Sequence, residues 1–125
     1  MEENVIKVRS FAFALRIVKL SKYLQGDKKE FVLSKQVLRS GTSIGALVRE
    51  AEHAESKADF THKMAIALKE ANETLYWLEL MHGAEYIGEP DFKSIHADCG
   101  ELVRLLVAIV KTSKLPLRPP NPASA

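Results

Sequence analysis

The sequence is short of the features that most quickly betray an activity. It has one cysteine, Cys99, so no internal disulfide can form, and its four histidines without a second thiol give no zinc-finger spacing. Cys99 reads as a small buried residue on an apolar helix face. Long hydrophobic runs are missing too. The longest stretch without an ionisable side chain is Ser40–Val48, nine residues, about half of the roughly 18–20 that a membrane-spanning helix needs. No segment is expected to cross a bilayer. Met1-Glu2-Glu3 is acidic where a secretory signal is basic, and no apolar segment with a cleavage site follows, which points to the cytoplasm. Proline is absent until Pro90, and four of the five prolines lie between Pro116 and Pro122. Residues 115–125 are expected to form an extended, mobile tail.

What is present fits one domain. A chain of 125 residues, 46% hydrophobic and 27% charged, is long enough to bury a single core and ordinary for a soluble globular protein. The net charge of +2 hides a lopsided distribution. Residues 1–49 carry ten Lys/Arg against four Asp/Glu, residues 50–101 four against twelve, and residues 102–125 four against none. Between Asn4 and Gly26 stand Lys7, Arg9, Arg16, Lys19 and Lys22 with no acid. Such a stripe either attracts a polyanion or pairs with the acidic middle of the same chain.

Apolar spacing is helical nearly throughout, and no run alternates as a half-buried strand would. Four helices are expected, at about residues 4–25, 34–54, 57–82 and 91–113. Gly26-Asp27 stops the first, and Ser34 is placed to cap the second. Ser56-Lys57-Ala58-Asp59 resembles a capping box for the third, whose stripe is Phe60, Met64, Ala67, Ala71, Leu75 and Leu78. The fourth carries Phe92, Ile95, Cys99, Leu102, Leu106 and Ile109 as a heptad seam. Short connections between long helices predict an all-α, antiparallel up-down-up-down four-helix bundle over residues 1–114.

The first helix has more apolar surface than one core needs. At 100° per residue, Ile6, Phe13, Ile17, Leu20 and Leu24 share one face, while Val8, Phe11, Leu15 and Val18 lie nearly opposite. The second face is expected to be an interface between copies of the chain, because large apolar patches mark partner surfaces.

Gly41 and Gly45 raise a different question. A phosphate-binding loop of the Walker type needs a lysine after the second glycine, and none follows Gly45; a nucleophile elbow needs one residue on each side of its serine and a preceding strand. Three residues between glycines on a helix instead predict close helix approach, with Ile44 and Val48 in the core. Each glycine costs the helix roughly 1 kcal/mol relative to alanine, which packing must offset. Arg39, Ser43 and Arg49 are expected together on the opposite, polar face.

Two Glu-x-x-His pairs, Glu50/His53 and Glu79/His82, invite comparison with helical di-iron sites. They stand about 35 Å apart along the third helix at about 1.5 Å per residue, and the first helix offers no carboxylate between Asn4 and Gly26. No metal, no cofactor and no catalytic residues are expected, and the four histidines are read as solvated or partner-facing.

The segments LSKQVLRSGTSIGALVREAE and SKADFTHKMAIALKEANETLYWLEL resemble the bacterial 23S rRNA intervening-sequence, or S23-like, proteins over nearly the whole chain to about Lys114. The resemblance implies a four-helix bundle assembled as a homopentamer. Some members are encoded inside large-subunit rRNA genes, and a related branch assists reverse transcriptases with nucleic-acid-binding basic surfaces. The family pattern continues Ser-Ile-Gly-Ala-Asn-Ile-x-Glu, whereas here Leu47-Val48 stand in place of Asn-Ile and Glu50 is kept. A role that depends on that asparagine has no counterpart here.

The expected function is therefore a non-catalytic, oligomeric protein that binds RNA or DNA through phosphates. Lys7, Arg9, Arg16, Lys19, Lys22, Lys35, Arg39 and Arg49 are its candidate contacts, with Arg104, Lys111 and Lys114 on the fourth helix. The rival is an adaptor for another protein, such as a reverse transcriptase, with the acidic middle as its docking surface.

Overall fold

A computed structural model describes residues 2–116. The expected tail falls outside the described residues from position 117 onward. Four helices account for the fold: α1 (Glu2–Gly26), α2 (Leu33–Ala51), α3 (Lys57–Gly83) and α4 (Glu89–Lys114). There is no strand among the described residues. Each helix packs on two others in cyclic order, α1 on α2, α2 on α3, α3 on α4 and α4 on α1. Packing is sparsest between α1 and α4.

Residue pairs run in a consistent sense along every seam. Ser10 lies against Gly45 and Ile17 against Gly41; Ser40 bonds to Thr74 and Glu50 to Lys63. Thr61 bonds to Ser113 and Glu79 to His96, and Arg9 meets Glu101 while Arg16 meets Asp98. In each seam the number on one helix rises as its partner's falls.

The core is drawn from one stripe of each helix. Ile6, Ile17 and Leu24 of α1, Val37 and Ile44 of α2, Met64 and Leu78 of α3, and Leu102 and Leu106 of α4 are buried to within 2%. Burying such a side chain stabilises by about 1.5–3 kcal/mol before entropy is charged against it. The α3 stripe departs from expectation at two places: Phe60 at its start is only partly buried, and further along Thr74 is fully buried and Leu75 only partly. Thr74 Oγ1 lies 2.9 Å from Ser40 Oγ and 2.8 Å from the Glu70 carbonyl. A hydroxyl is admitted to the core because its hydrogen bonds are made there.

The start of α2 corrects the expected cap. Val32 is the N-cap residue and makes no side-chain cap bond; Ser34 is inside the helix, buried, and donates to the Glu30 carbonyl at 2.8 Å. The capping group is the Glu30 carboxylate, which accepts from the N–H groups of Val32, Leu33 and Ser34 at 3.2, 3.0 and 2.7 Å. A longer side chain reaching forward from before the helix thus satisfies the free donors of the first turn. The helix ends at Ala51, short of residue 54, because the chain tightens into three-residue hydrogen bonds, Glu52 to Arg49, His53 to Glu50 and Ala54 to Ala51.

At α3, Ser56 Oγ accepts from the Asp59 N–H at 3.0 Å, but the Asp59 carboxylate returns to the N–H of Glu55, one residue before the cap. Helix α4 begins at Glu89 with Pro90 in its first turn, where a missing N–H costs nothing.

Candidate functional site

The outward face of α1 carries one stripe whose character changes along its length. Val8, Phe11, Leu15, Lys19 and Lys22 follow at spacings of three, four, four and three, so they share a face. Val8 is 66% exposed, Phe11 51% and Leu15 50%. Val18, expected beside them, is half-buried. The Arg49 guanidinium sits 5.4 Å from the centre of the Phe11 ring, a cation–π geometry that ties α2 to this stripe. Residues assigned from sequence to self-association and to phosphate contact therefore lie end to end on a single surface.

The eight candidate cations divide into two groups. Lys7 pairs with Glu52 at 3.1 Å, Arg9 with Glu101, Arg16 with Asp98 at 2.7 Å, and Arg39 with Glu70 at 3.1 Å and with Glu73. The acid-free stretch of α1 is thus partly matched by the acidic middle of the chain. Lys19, Lys22, Lys35 and Arg49 have no ion pair among the described residues and are exposed. A phosphate reaching these four has no carboxylate to displace, although the exposed pairs of the other four are individually weak.

Arg39 and Arg49 do not share a face. Arg39 reaches α3 through Glu70 and Glu73, while Arg49 lies over Phe11 of α1. Ten residues at 100° leave the two 80° apart around α2, enough for each to turn to a different neighbouring helix. Ser43 Oγ is turned back on its own helix, bonded to the Arg39 carbonyl. Leu47, at the position of the family asparagine, is partly buried against the core.

The glycines differ from one another. A Cβ on Gly41 would stand 2.8 and 2.9 Å from two carbons of Ile17, closer than such contacts are made, whereas one on Gly45 would meet Ser10 at 3.4–3.5 Å, an ordinary distance. Only Gly41 is demanded by close approach, and what it admits is an isoleucine side chain. Ile44 and Val48 are buried beside it.

The connection between α1 and α2 holds residues that sequence reasoning passed over. Helix α1 ends with the N–H groups of Asp27 and Lys28 bonded to the Tyr23 carbonyl, and Lys29 takes a left-handed φ of 55° to turn the chain. The Glu30 N–H then bonds back to the Leu24 carbonyl at 2.9 Å. Partial burial opposes ionisation of Glu30, but hydrogen bonds from Leu33, Ser34 and Val32 outweigh it and hold the carboxyl below its ordinary value. Phe31 and Val32, pinned between these bonds, are 51% and 70% exposed. The Lys28 ammonium lies 6.0 Å from the centre of the Tyr23 ring. Lys19, Lys22, Lys28, Lys29 and Lys35 all fall within this hairpin turn and its flanking helix ends, and none is ion-paired among the described residues. The signal was legible as Lys28-Lys29 beside Phe31-Val32, a basic doublet and an apolar doublet in a connection that has no need of either.

Two of the four histidines are engaged within the chain. His82 stacks on Phe92 with ring centres 4.1 Å apart, bonds to the Ile87 carbonyl and lies 2.9 Å from Glu89. His96 lies 2.9 Å from Glu79. Both bridge α3 to α4, in contrast to their expected solvated or partner-facing role; His53 and His62 are exposed. Among the described residues no group of three or more His, Cys, Asp or Glu is placed to hold a metal ion, and no helix is long and apolar enough to cross a membrane. Cys99 is buried, donates to the Ala71 carbonyl at 3.4 Å, and burial with the neighbouring Asp98 charge pushes its thiol up to about 12.

Comparison with known proteins agrees with this architecture. The family model described as 23S rRNA-intervening sequence protein matches residues 2–108. A crystal structure of a protein of unknown function from the S23 ribosomal protein family of Bacteroides thetaiotaomicron superposes with a TM-score of 0.88 at 58% identity, covering 89% of this chain and 99% of that one. A search of curated proteins finds no match.

Proposed function

The chain belongs to the 23S rRNA-intervening sequence protein family, and from that premise we propose that it is a non-catalytic nucleic-acid-binding protein that acts as a homo-oligomer. The opposed numbering along all four seams supports an antiparallel up-down-up-down bundle. Its α1 stripe supports self-association through Val8, Phe11 and Leu15, which leaves Lys19 and Lys22 beside the joint. A homopentamer, the assembly implied by family resemblance, repeats that basic patch on every subunit and strengthens binding through avidity.

The observation that carries the reading is a group of cations without a carboxylate partner among the described residues: Lys19, Lys22, Lys35 and Arg49, joined by Lys28 and Lys29, with Arg104, Lys111 and Lys114 of α4 likewise outside any ion pair. These contact phosphates in RNA or DNA and give binding that tolerates sequence and weakens with salt. The adaptor reading, with the acidic middle docking a reverse transcriptase or another protein, has less support. Glu52, Glu70, Glu73, Asp98 and Glu101 already face basic residues of the same chain.

Titration of labelled RNA and of duplex DNA at two salt concentrations tests the proposal. Lys19→Glu with Lys22→Glu is expected to weaken binding and to lower the salt slope by about 2, while mass by light scattering stays constant. Absence of binding at low salt rejects nucleic-acid recognition; a monomeric mass at micromolar concentration rejects self-association.

A further inference from the structure

We propose that the α1–α2 turn is a stacking site for an unpaired base of single-stranded nucleic acid, with Phe31 supplying the ring face and the surrounding lysines holding the flanking phosphates. The inference rests on the nucleic-acid reading above and gives it a location and a substrate class.

Three observations converge on this turn. The first is an aromatic held outward: Phe31 is 51% exposed and lies outside the core, next to Val32 at 70%. An unpinned turn would let such a ring fold back onto apolar surface. Here the Glu30 carboxylate grips the three N–H groups that follow it, and the Glu30 N–H is tied to α1 through Leu24, so the backbone on both sides of Phe31 is fixed. The ring is presented at little further cost in conformational entropy on binding.

The second observation is charge. Five lysines surround the turn without ion-pair partners among the described residues, and of its two acids Glu30 is occupied by backbone donors, leaving Asp27. This field suits a polyanion. The third is a second aromatic, Tyr23, 40% exposed with Lys28 near its ring, one helical turn back on α1.

An unpaired base needs one ring face to stack on and a phosphate on either side to be held, which this turn offers. A paired duplex keeps its bases stacked inside and offers phosphates alone. A bilayer surface asks for more apolar depth than one phenylalanine and one valine supply, since stable membrane binding draws on a helix-long apolar face or acyl chains.

The test is fluorescence anisotropy at low salt with the full chain, an unstructured RNA of about 20 nucleotides, the corresponding duplex, and a strand of the same length made abasic throughout. Replacing Phe31→Ala is expected to weaken the single strand about tenfold and to leave the duplex and the abasic strand within about twofold, while Phe31→Tyr restores the loss. Circular dichroism checks that each variant keeps its helices. If wild-type protein binds both strand and duplex yet Phe31→Ala changes neither, or weakens both alike, the stacking site is wrong and the phosphate-directed reading stands. If wild-type protein binds no nucleic acid, both fall together. Binding to phosphatidylserine vesicles that depends on Phe31, with none to the strand, assigns the turn to a lipid surface and overturns the proposal.

Discussion

Helix α1 meets its two neighbours in opposite ways. Against α2 it is drawn in until Ile17 fills the space a side chain on Gly41 would need and Ser10 rests on Gly45. Against α4 it stands off. Open grooves of about 360 and 240 Å³ run between them, lined by residues such as Tyr23 and Ile95 in one and Phe13 and Leu102 in the other. Arg9–Glu101 and Arg16–Asp98 bridge that gap. The contrast teaches how the basic residues of one helix divide between uses. Arg9 and Arg16 find acids across the gap, and Lys19 and Lys22, which follow the outward stripe beyond Leu15, find none among the described residues.

The strongest way to break the contrast is to overfill the tight seam. Gly41→Leu is expected to destabilise the fold by about 3 kcal/mol or more, read as a lower urea midpoint, because the new side chain must displace Ile17 from the core. An unchanged midpoint would mean that the seam yields and is not close-packed.

Removing the link that shortens the same hairpin comes next. Glu30→Ala is expected to cost about 1–2 kcal/mol, as loss of a helix cap does. Since the folded-state carboxyl titrates below the unfolded value of 4.5, its contribution is present above that value and disappears as pH falls through the lowered one. Wild type and variant should therefore converge in stability in acid. A gap that persists there would show that the charge is not what matters.

The loose seam should respond more gently. Arg9→Glu with Arg16→Glu is expected to lower stability by about 1 kcal/mol at low salt and by less at high salt, because exposed pairs are screened. A loss that is large and independent of salt would place these arginines among the main supports of the bundle. The smallest effect sharpens the contrast within the tight seam itself. Gly45→Ala is expected to stabilise by about 0.5–1 kcal/mol, since the added carbon fits and the helix gains in propensity. A destabilisation would put Gly45 in the same class as Gly41.

Much of this was legible in the sequence because helical periodicity is local. The two faces of α1, the buried positions Ile44 and Val48, and the seam from Ile95 to Ile109 all follow from counting in threes and fours. The ion pairs were not legible in that way. Whether Arg9 is free depends on Glu101, 92 residues further along, and only the alignment of α4 beside α1 brings them together. Ser34 had the composition of a cap, but Glu30, four residues earlier, competes for the same N–H groups with a longer reach. Arg39 and Arg49 stand 80° apart by the count of 100° per residue, so one shared face could not hold both, and the contacts with α3 and α1 draw them to different neighbours. The polar core pair Ser40–Thr74 was invisible because each hydroxyl looks unsuited to burial until its partner is known.

The buried thiol of Cys99 has a practical consequence for watching this molecule move. It is the one cysteine in the chain, fully enclosed and held protonated at neutral pH, so a thiol reagent has no target while the helices stay closed. Labelling then proceeds only through transient openings that separate α4 from α3, and its rate counts those openings directly. A chain without disulfides or competing thiols thereby carries its own clock for breathing, and adding a nucleic acid or raising the protein concentration should slow it to the extent that binding or assembly keeps the bundle shut.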